Sequence, residues 1–240
     1  MAIQQQNVKH RSYPRTMLLE KPHYYLFIKR FVDILVSCTL ILLLLPLMVW
    51  ISYLIYKREG KPIFHRELVV GKHEKSFVKW TFRTKTIPSK VIRSLPPHPV
   101  PENFVDGVPH QFKININGYM VMTPTGNWLM KYNLDKVPLL FHVLKGNMSL
   151  IGPEPEVLEI AKYYNDLQRK RLNVKPGITG YAQINQQSNH NHQKKIIYDL
   201  YYVNHISPLL DASIIWQTSK KIVARLTKCF LFFKKSHKIR

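Results

Sequence analysis

Hydrophobic and polar positions divide the chain sharply at Ile34. From there to Tyr56 the run ILVSCTLILLLLPLMVWISYLIY carries no charge. As a helix it would reach about 35 Å, enough to cross the apolar part of a bilayer. Pro46 stands in its middle, where a missing backbone donor kinks a helix. Lys29 and Arg30 flank one end, and Lys57, Arg58 and Lys61 flank the other, so the basic residues set no preferred orientation. These features predict a re-entrant helix with both ends on the cytoplasmic face. A single transmembrane helix, in which a proline is tolerated, is the alternative. Asp33 at the entrance is expected at headgroup level, because a carboxylate at mid-membrane is costly.

Beyond this run the pattern shortens. PIFHRELVVG, residues 62–71, predicts a short strand ending at Gly71, and FVKWTF, residues 77–82, alternates as a second. SLPPHPVPEN, residues 94–103, carries four prolines and reads as a surface loop. Gly107, Gly118 and Pro124 punctuate residues 104–125. TGNWLMKYNLDKVPLLFHVLKG predicts a helical region interrupted at Pro138, which leaves Asp135 near a helix end. PEPEVLEIAKYYNDLQRKRLNV, residues 153–174, predicts one amphipathic helix. Val157, Ile160, Ala161, Tyr164 and Leu167 fall at spacings of three and four, and acids precede bases as the helix dipole favours. KPGITGYAQIN is a glycine-punctuated turn segment, and QKKIIYDLYYVNHI, residues 193–206, predicts another helix. No internal repeat is visible.

Charge adds a class of partner. The 240 residues can bury one core, and 36 Lys+Arg against 14 Asp+Glu give a formal net charge of +22. Such an excess points to an anionic membrane face or to phosphate-bearing substrates. Nucleic acid is set aside, because no nucleic-acid motif is present and much of the basic charge flanks apolar segments. Cys38 lies inside the apolar run, so with only Cys229 besides it no disulfide framework is expected. The first 25 residues are polar and basic, without the apolar core of a secretory signal. After Asp211 there is no acid, and residues 220–240 carry eight basic residues around Ile222, Val223, Leu226 and CFLFF. That is the composition of an interfacial helix; a core-packing helix with a solvated basic end is the alternative. His190 and His192 offer two nitrogens in a polar loop and no third metal ligand. Glu156 and Glu159 read as helix caps or solvent contacts.

Five ordered stretches together resemble one family, the monotopic polyprenyl-phosphate phosphoglycosyl transferases, or bacterial sugar transferases. KRFVDILVS with the Pro46-containing segment is similar to its N-terminal signature. GKHEKSFVKWTFRTKT, residues 71–86, resembles GKxxxxFxxxKFRTM. NLDKVPLLFHVLKGNMSLIGPEPEV resembles SLDELPQLxNVLKGxMSLVGPRPE. KPGITGYAQIN resembles KPGITGxAQ, and DLYYVNHISPLLDASII resembles DxxYxxxxSxxxDxxI. The resemblance covers about Lys29 to Thr218.

The resemblance implies transfer of a sugar-1-phosphate from a UDP-sugar to undecaprenyl phosphate, initiating capsule or exopolysaccharide synthesis. An aspartate attacks the β-phosphate, UMP leaves, and the lipid phosphate accepts the sugar phosphate. Asp135 holds the nucleophile's position; Arg83, Gln183, Asp199 and Tyr202 fall on the substrate side; Mg²⁺ assists. A carboxylate attacking an anionic phosphate needs cations or a metal to offset developing charge. Several charged positions depart from the pattern. Lys136 replaces the family glutamate, removing a hard oxygen ligand, and Glu154 replaces an arginine. Thr81 stands for a lysine, Val69 for an arginine and Met130 near a frequently basic position, while Gln186 and Gln187 replace Gly-Arg. Lys136 and Glu154 are the candidate replacement groups: Lys136 would supply the lost cation and Glu154, with Asp135, a metal ligand. The alternative is a catalytically inactive member that acts as a membrane-bound lipid-phosphate binding or scaffolding protein for polysaccharide assembly.

The expected fold is α+β: a re-entrant N-terminal helix, a small mixed helix/strand cytoplasmic domain and amphipathic interfacial helices. The expected organisation is a basic tail at 1–28, the membrane helix at 29–58, the transferase-like domain at 59–219 and a basic amphipathic tail at 220–240. Expected partners are undecaprenyl phosphate, a UDP-sugar, anionic inner-membrane lipids and other polysaccharide-assembly enzymes. The expected location is the cytoplasmic face of a bacterial inner membrane.

Overall fold

The computed structural model describes residues 23–86, 107–108, 121–185 and 192–236. The proline-rich loop at 94–103, the basic residues before His23, Gln186, Gln187 and His190 lie outside the described residues. The fold is α+β with one long apolar N-terminal helix. Helix α1 (His23–Glu59) runs without interruption through Pro46, and its stretch Tyr24–Glu59 is long and apolar enough to cross a membrane. Pro46 still removes one backbone donor from the helix ladder.

Strands β1 (Phe64–Val70) and β2 (Ser76–Phe82) form the antiparallel hairpin that the alternation predicts, in register from Phe64↔Phe82 to Val70↔Ser76. Helix α2 (Pro124–Tyr132) starts where Thr123 accepts a hydrogen bond from the Gly126 N–H and Pro124 occupies the first turn. It stops at Asn133, whose φ of 56° is left-handed. A single 3₁₀ turn, Leu134–Lys136, leads through Pro138 into α3 (Leu139–Lys145), which Gly146 ends at φ 88°. The interruption expected at Pro138 is therefore present, and it sets Asp135 on the turn between two helices.

The single helix expected at 153–174 is not formed. Glu156–Val157 is a short strand, β4, paired antiparallel to β1 at Val69 and Val70. Two one-turn helices follow, α4 (Leu158–Ala161) and α5 (Asp166–Arg169), then a 3₁₀ turn at Lys170–Asn173. Competing local bonds explain the break: the open edge of β1 recruits residues 156–157, and Asn165 with Gln168 forms a capping box that starts a new helix. The apolar spacing still has its use, since Ile160, Ala161 and Tyr164 are buried together with Val70, Leu172 and Ile196.

Strand β3 (Ser149–Ile151) pairs in parallel with β5 (Gly177–Thr179). This pair needs bare backbone, because a Cβ on Gly177 would lie 2.1 Å from the Gly152 nitrogen. Helices α6 (Tyr181–Ile184), α7 (His192–Asn204) and α8 (Pro208–Ser236) complete the chain. Helix α8 passes through residues 219–220 without a break.

Both halves of α1 touch this domain. Ile51 and Ile55 are fully buried with Phe82 and Leu129, each worth roughly 1.5–3 kcal/mol of burial. Near the other end, Arg30 donates to the Val143 and Leu144 carbonyls at 2.6 and 2.9 Å, and Asp33 accepts from the Leu150 N–H at 3.1 Å. Asp33, expected near headgroups, is thus buried and tied to β3. Lys29 contacts Asp211 of α8 at 2.5 Å. Between these anchors much of α1 is bare, with Leu42 and Leu43 at 74% and 70% exposure.

Candidate active site

Asp135 is part-exposed on its 3₁₀ turn, and strand β2 packs against that turn. Burial raises the Asp135 carboxyl above its ordinary value, and the adjacent Lys136 charge is the largest influence pulling it back. Lys136 Nζ lies 3.4 Å from Glu154 Oε1. The two residues whose charges are exchanged relative to the family pattern are therefore in contact, eighteen positions apart in sequence.

The other Glu154 oxygen faces a second cation, with Lys195 Nζ 4.0 Å from Oε2. Burial acts to raise Glu154, but Lys136 and then Lys195 outweigh it and hold the carboxyl below the usual range. Behind Glu154 lies a buried charge network centred on Glu156. Glu156 Oε2 accepts from Lys195 at 3.0 Å, from Tyr164 at 3.0 Å and from Arg171 at 3.2 Å. Arg171 also donates to the Glu154 carbonyl at 2.7 Å and to Asp199 at 2.6 Å. Against the cost of burial, Lys195 and Arg171 hold Glu156 down at about 2. Asp199 is carried the other way, to about 6, by burial that its arginine partner does not fully offset. His192, 3.9 Å from Glu156, is lowered to about 4, chiefly by burial.

This arrangement corrects one expectation and locates the remaining candidate residues. Glu156 is no solvent contact; it is 6% exposed, and its partner Arg171 also holds the Glu154 carbonyl. Glu156 falls on the last glutamate of the GPRPE pattern, but its partners Lys195 and Arg171 lie far along the chain and only the fold brings them to it. Arg83, expected beside substrate, is buried and donates to the Glu59 and Gly60 carbonyls at 2.7 and 3.2 Å and to the Glu59 carboxylate at 3.4 Å. It closes the end of α1, since a cation suits the carboxyl end of a helix. Asp199 is 1% exposed and serves Arg171. Tyr202, also 1% exposed, donates to Asp211 at 2.8 Å and lies in the network that joins α1 to α8. All three side chains are engaged by other groups of the protein. The Gln183 side-chain amide is buried beside Gly180 and has no hydrogen-bond partner among the described residues.

The departures separate into two kinds. Val69 is fully buried and paired with Val157, so its loss of charge suits a core position. Thr81 lies on β2 opposite His65, and Met130 is 46% exposed on α2.

The donor set does not fit a divalent ion held by protein alone. Among the described residues no three His, Cys, Asp or Glu side chains are placed to hold a metal ion together. Of the two candidate carboxylates, Asp135 and Glu154, the second has a lysine on each oxygen. Magnesium needs several hard oxygens in near-octahedral array.

The sequence pattern of the family described as bacterial sugar transferases matches residues 24–225. An uncharacterized sugar transferase of Bacillus subtilis, EpsL, is 31% identical over 203 residues, 82% of this chain and 88% of the relative. The undecaprenyl-phosphate galactose phosphotransferase of Salmonella typhimurium is 30% identical over 200 residues, 83% of this chain and 41% of that protein. The UDP-glucose:undecaprenyl-phosphate glucose-1-phosphate transferase of Klebsiella pneumoniae is 33% identical over 198 residues, 79% of this chain and 39% of that protein. The chain thus spans nearly all of the first relative and about two-fifths of the other two.

Proposed function

The chain belongs to the bacterial sugar transferase family, and from that premise we propose that it transfers a sugar-1-phosphate from a UDP-sugar to undecaprenyl phosphate, the step that initiates a surface polysaccharide. One observation carries the reading: Asp135, on an accessible turn, sits beside a contacting Lys136–Glu154 pair in place of the usual charges. An Asp135 oxygen attacks the β-phosphorus, the bond from that phosphorus to the bridging oxygen breaks, and UMP leaves. An oxygen of the carrier phosphate then attacks the same phosphorus, the Asp135–phosphorus bond breaks, and the carboxylate is restored. The raised Asp135 pKa suits a better nucleophile. Lys136, and Lys195 behind it, place positive charge where the diphosphate charge develops. Glu154 holds Lys136 in position and takes no metal role in this reading.

The membrane arrangement follows. Contacts at both halves of α1, Arg30 on α3 and Ile51 and Ile55 on Phe82 and Leu129, support a re-entrant helix with both ends on the cytoplasmic face. The exposed Trp216, Ile222 and Val223 of α8, interspersed with Lys220 and Arg225, support an interfacial helix on anionic inner-membrane lipid. Other polysaccharide-assembly enzymes are the partners that would receive the lipid-linked product.

The test is UMP release and radiolabel transfer to undecaprenyl phosphate across a panel of UDP-sugars, with Mg²⁺ supplied and Asp135→Asn as control. Transfer lost in the control supports the reading. No transfer, with carrier lipid still bound, assigns the binding or scaffolding role, for which the closed Lys136–Glu154 pair would be the reason.

A further inference from the structure

At the carboxyl end of α3, cations gather that the transfer chemistry does not use. Arg30 reaches the last carbonyls of α3 with both terminal nitrogens. Gly146 follows at φ 88°. A Cβ there would meet Arg30 Nη2 at 3.4 Å and Lys175 Nζ at 3.7 Å. Two cationic groups thus converge on one small space that glycine leaves open. Lys175 is half-buried, and its ammonium has no hydrogen-bond or ion-pair partner among the described residues. Burial, then the Arg30 charge, lowers its pKa; Lys72 adds to the effect and Asp33 opposes it.

The local charge does not cancel. Arg30, Lys175 and Lys72 contribute three positive charges. Asp33 offsets one, and the end of α3 offsets at most roughly half of another. An excess of roughly one to two positive charges remains around a half-buried lysine, an arrangement that is costly without an anion. The adjoining surface is apolar. Phe27 and Ile34 lie three before and four after Arg30, on the same side of α1, and are 76% and 39% exposed. A singly charged phosphate attached to acyl chains matches both features; a free phosphate matches only the first.

We propose that Arg30, Lys175 and Lys72 bind the phosphodiester of an anionic glycerophospholipid whose acyl chains lie along the Phe27–Ile34 side of α1. The bound headgroup would fix the depth at which the domain sits on the bilayer. The site is separate from the Asp135 chemistry and stands whether or not the chain turns over.

The full-length chain is reconstituted in nanodiscs of phosphatidylcholine with and without phosphatidylglycerol, and retained lipids are counted by native mass spectrometry. The wild-type chain is expected to retain phosphatidylglycerol over phosphatidylcholine by about fivefold or more, a preference worth about 1 kcal/mol. Lys175→Met is expected to bring the ratio near one, Lys175→Arg to keep it, and Lys162→Met, the same charge loss at an exposed site, to leave it unchanged. Melting in pure phosphatidylcholine discs shows that each variant folds. A preference unaltered in Lys175→Met overturns the proposal. So does displacement of phosphatidylglycerol by equimolar undecaprenyl phosphate, which would make this the carrier's site.

Discussion

Glu156→Gln removes one charge from the buried network and barely alters its shape. In the folded chain this carboxyl titrates at about 2, against an ordinary value of 4.5. That difference corresponds to about 3 kcal/mol of stability at neutral pH. The general cost of breaking a buried ion pair from one side, about 3–5 kcal/mol, agrees. The sign follows from the direction of the shift. A depressed carboxyl stabilises fully above its unfolded value and loses that contribution as pH falls through 4.5 toward 2. Asp199 has the opposite sign, since between about 6 and 3.8 the folded chain takes up its proton first, but the difference between wild type and Glu156→Gln isolates Glu156. Thermal unfolding in detergent should show the variant melting roughly 6 °C lower at neutral pH, with the deficit shrinking to about 2 kcal/mol near about pH 3.5. A deficit under about 1 kcal/mol, or one equal at both pH values, would refute the network. The variant should also reach the reaction: without Glu156, Lys195 is left with Glu154 at 4.0 Å and competes with Lys136 for it.

Three further outcomes test the packing around Asp135. Lys136→Glu and Glu154→Lys should each destabilise slightly, under about 1 kcal/mol because the pair is partly exposed; the double variant should recover, and zero coupling in the cycle would separate the two residues. Ile55→Ala should cost about 2–5 kcal/mol by melting, whereas a loss under about 1 kcal/mol would undo the docking of α1 on Phe82 and Leu129. Gly126→Ala would place a Cβ 2.0 Å from the Thr84 carbonyl oxygen, so α2 must shift, at about 1–3 kcal/mol; an unchanged melting temperature would contradict that contact.

Elements governed by local patterning were legible in the sequence. The β1–β2 hairpin follows from alternation and the break at Pro138 from proline stereochemistry, and α7 forms close to the stretch 193–206 where a helix is expected. Residues 153–174 misled because helical spacing also suits short turns packed on a core, and the deciding bonds, β4 on β1 and the Asn165–Gln168 box, come from an edge strand and a cap. Site residues divided the same way. The charge exchange at Lys136 and Glu154 is visible in the sequence, and the fold brings the two side chains to 3.4 Å. Arg83, Asp199 and Tyr202 are bonded to buried protein groups, which the sequence does not display, because an ionisable side chain in a motif looks alike whether it meets substrate or a buried partner. What distinguishes them is burial, and burial depends on contacts such as Arg171–Asp199, twenty-eight residues apart.

Topology tests the whole assembly at once. The apolar run from Ile34 to Tyr56 is long enough to span a bilayer, and a spanning helix would place Lys29–Asp33 and Glu59–Lys61 on opposite faces. Each of those flanks is bonded to the same domain, the first through Arg30 and Asp33 to α3 and β3, the second through the Arg83–Glu59 pair to the end of β2. A domain cannot sit on both faces, so a spanning helix would have to break one anchor, leaving either Asp33 or Arg83 as a buried charge without its partner. The re-entrant path keeps both. With Cys38 and Cys229 replaced by serine, single cysteines at Tyr24 and Lys61 should both resist a membrane-impermeant maleimide added outside spheroplasts and both react after permeabilisation. Labelling of either from outside in intact spheroplasts would place that flank across the bilayer and rule out the shared anchoring.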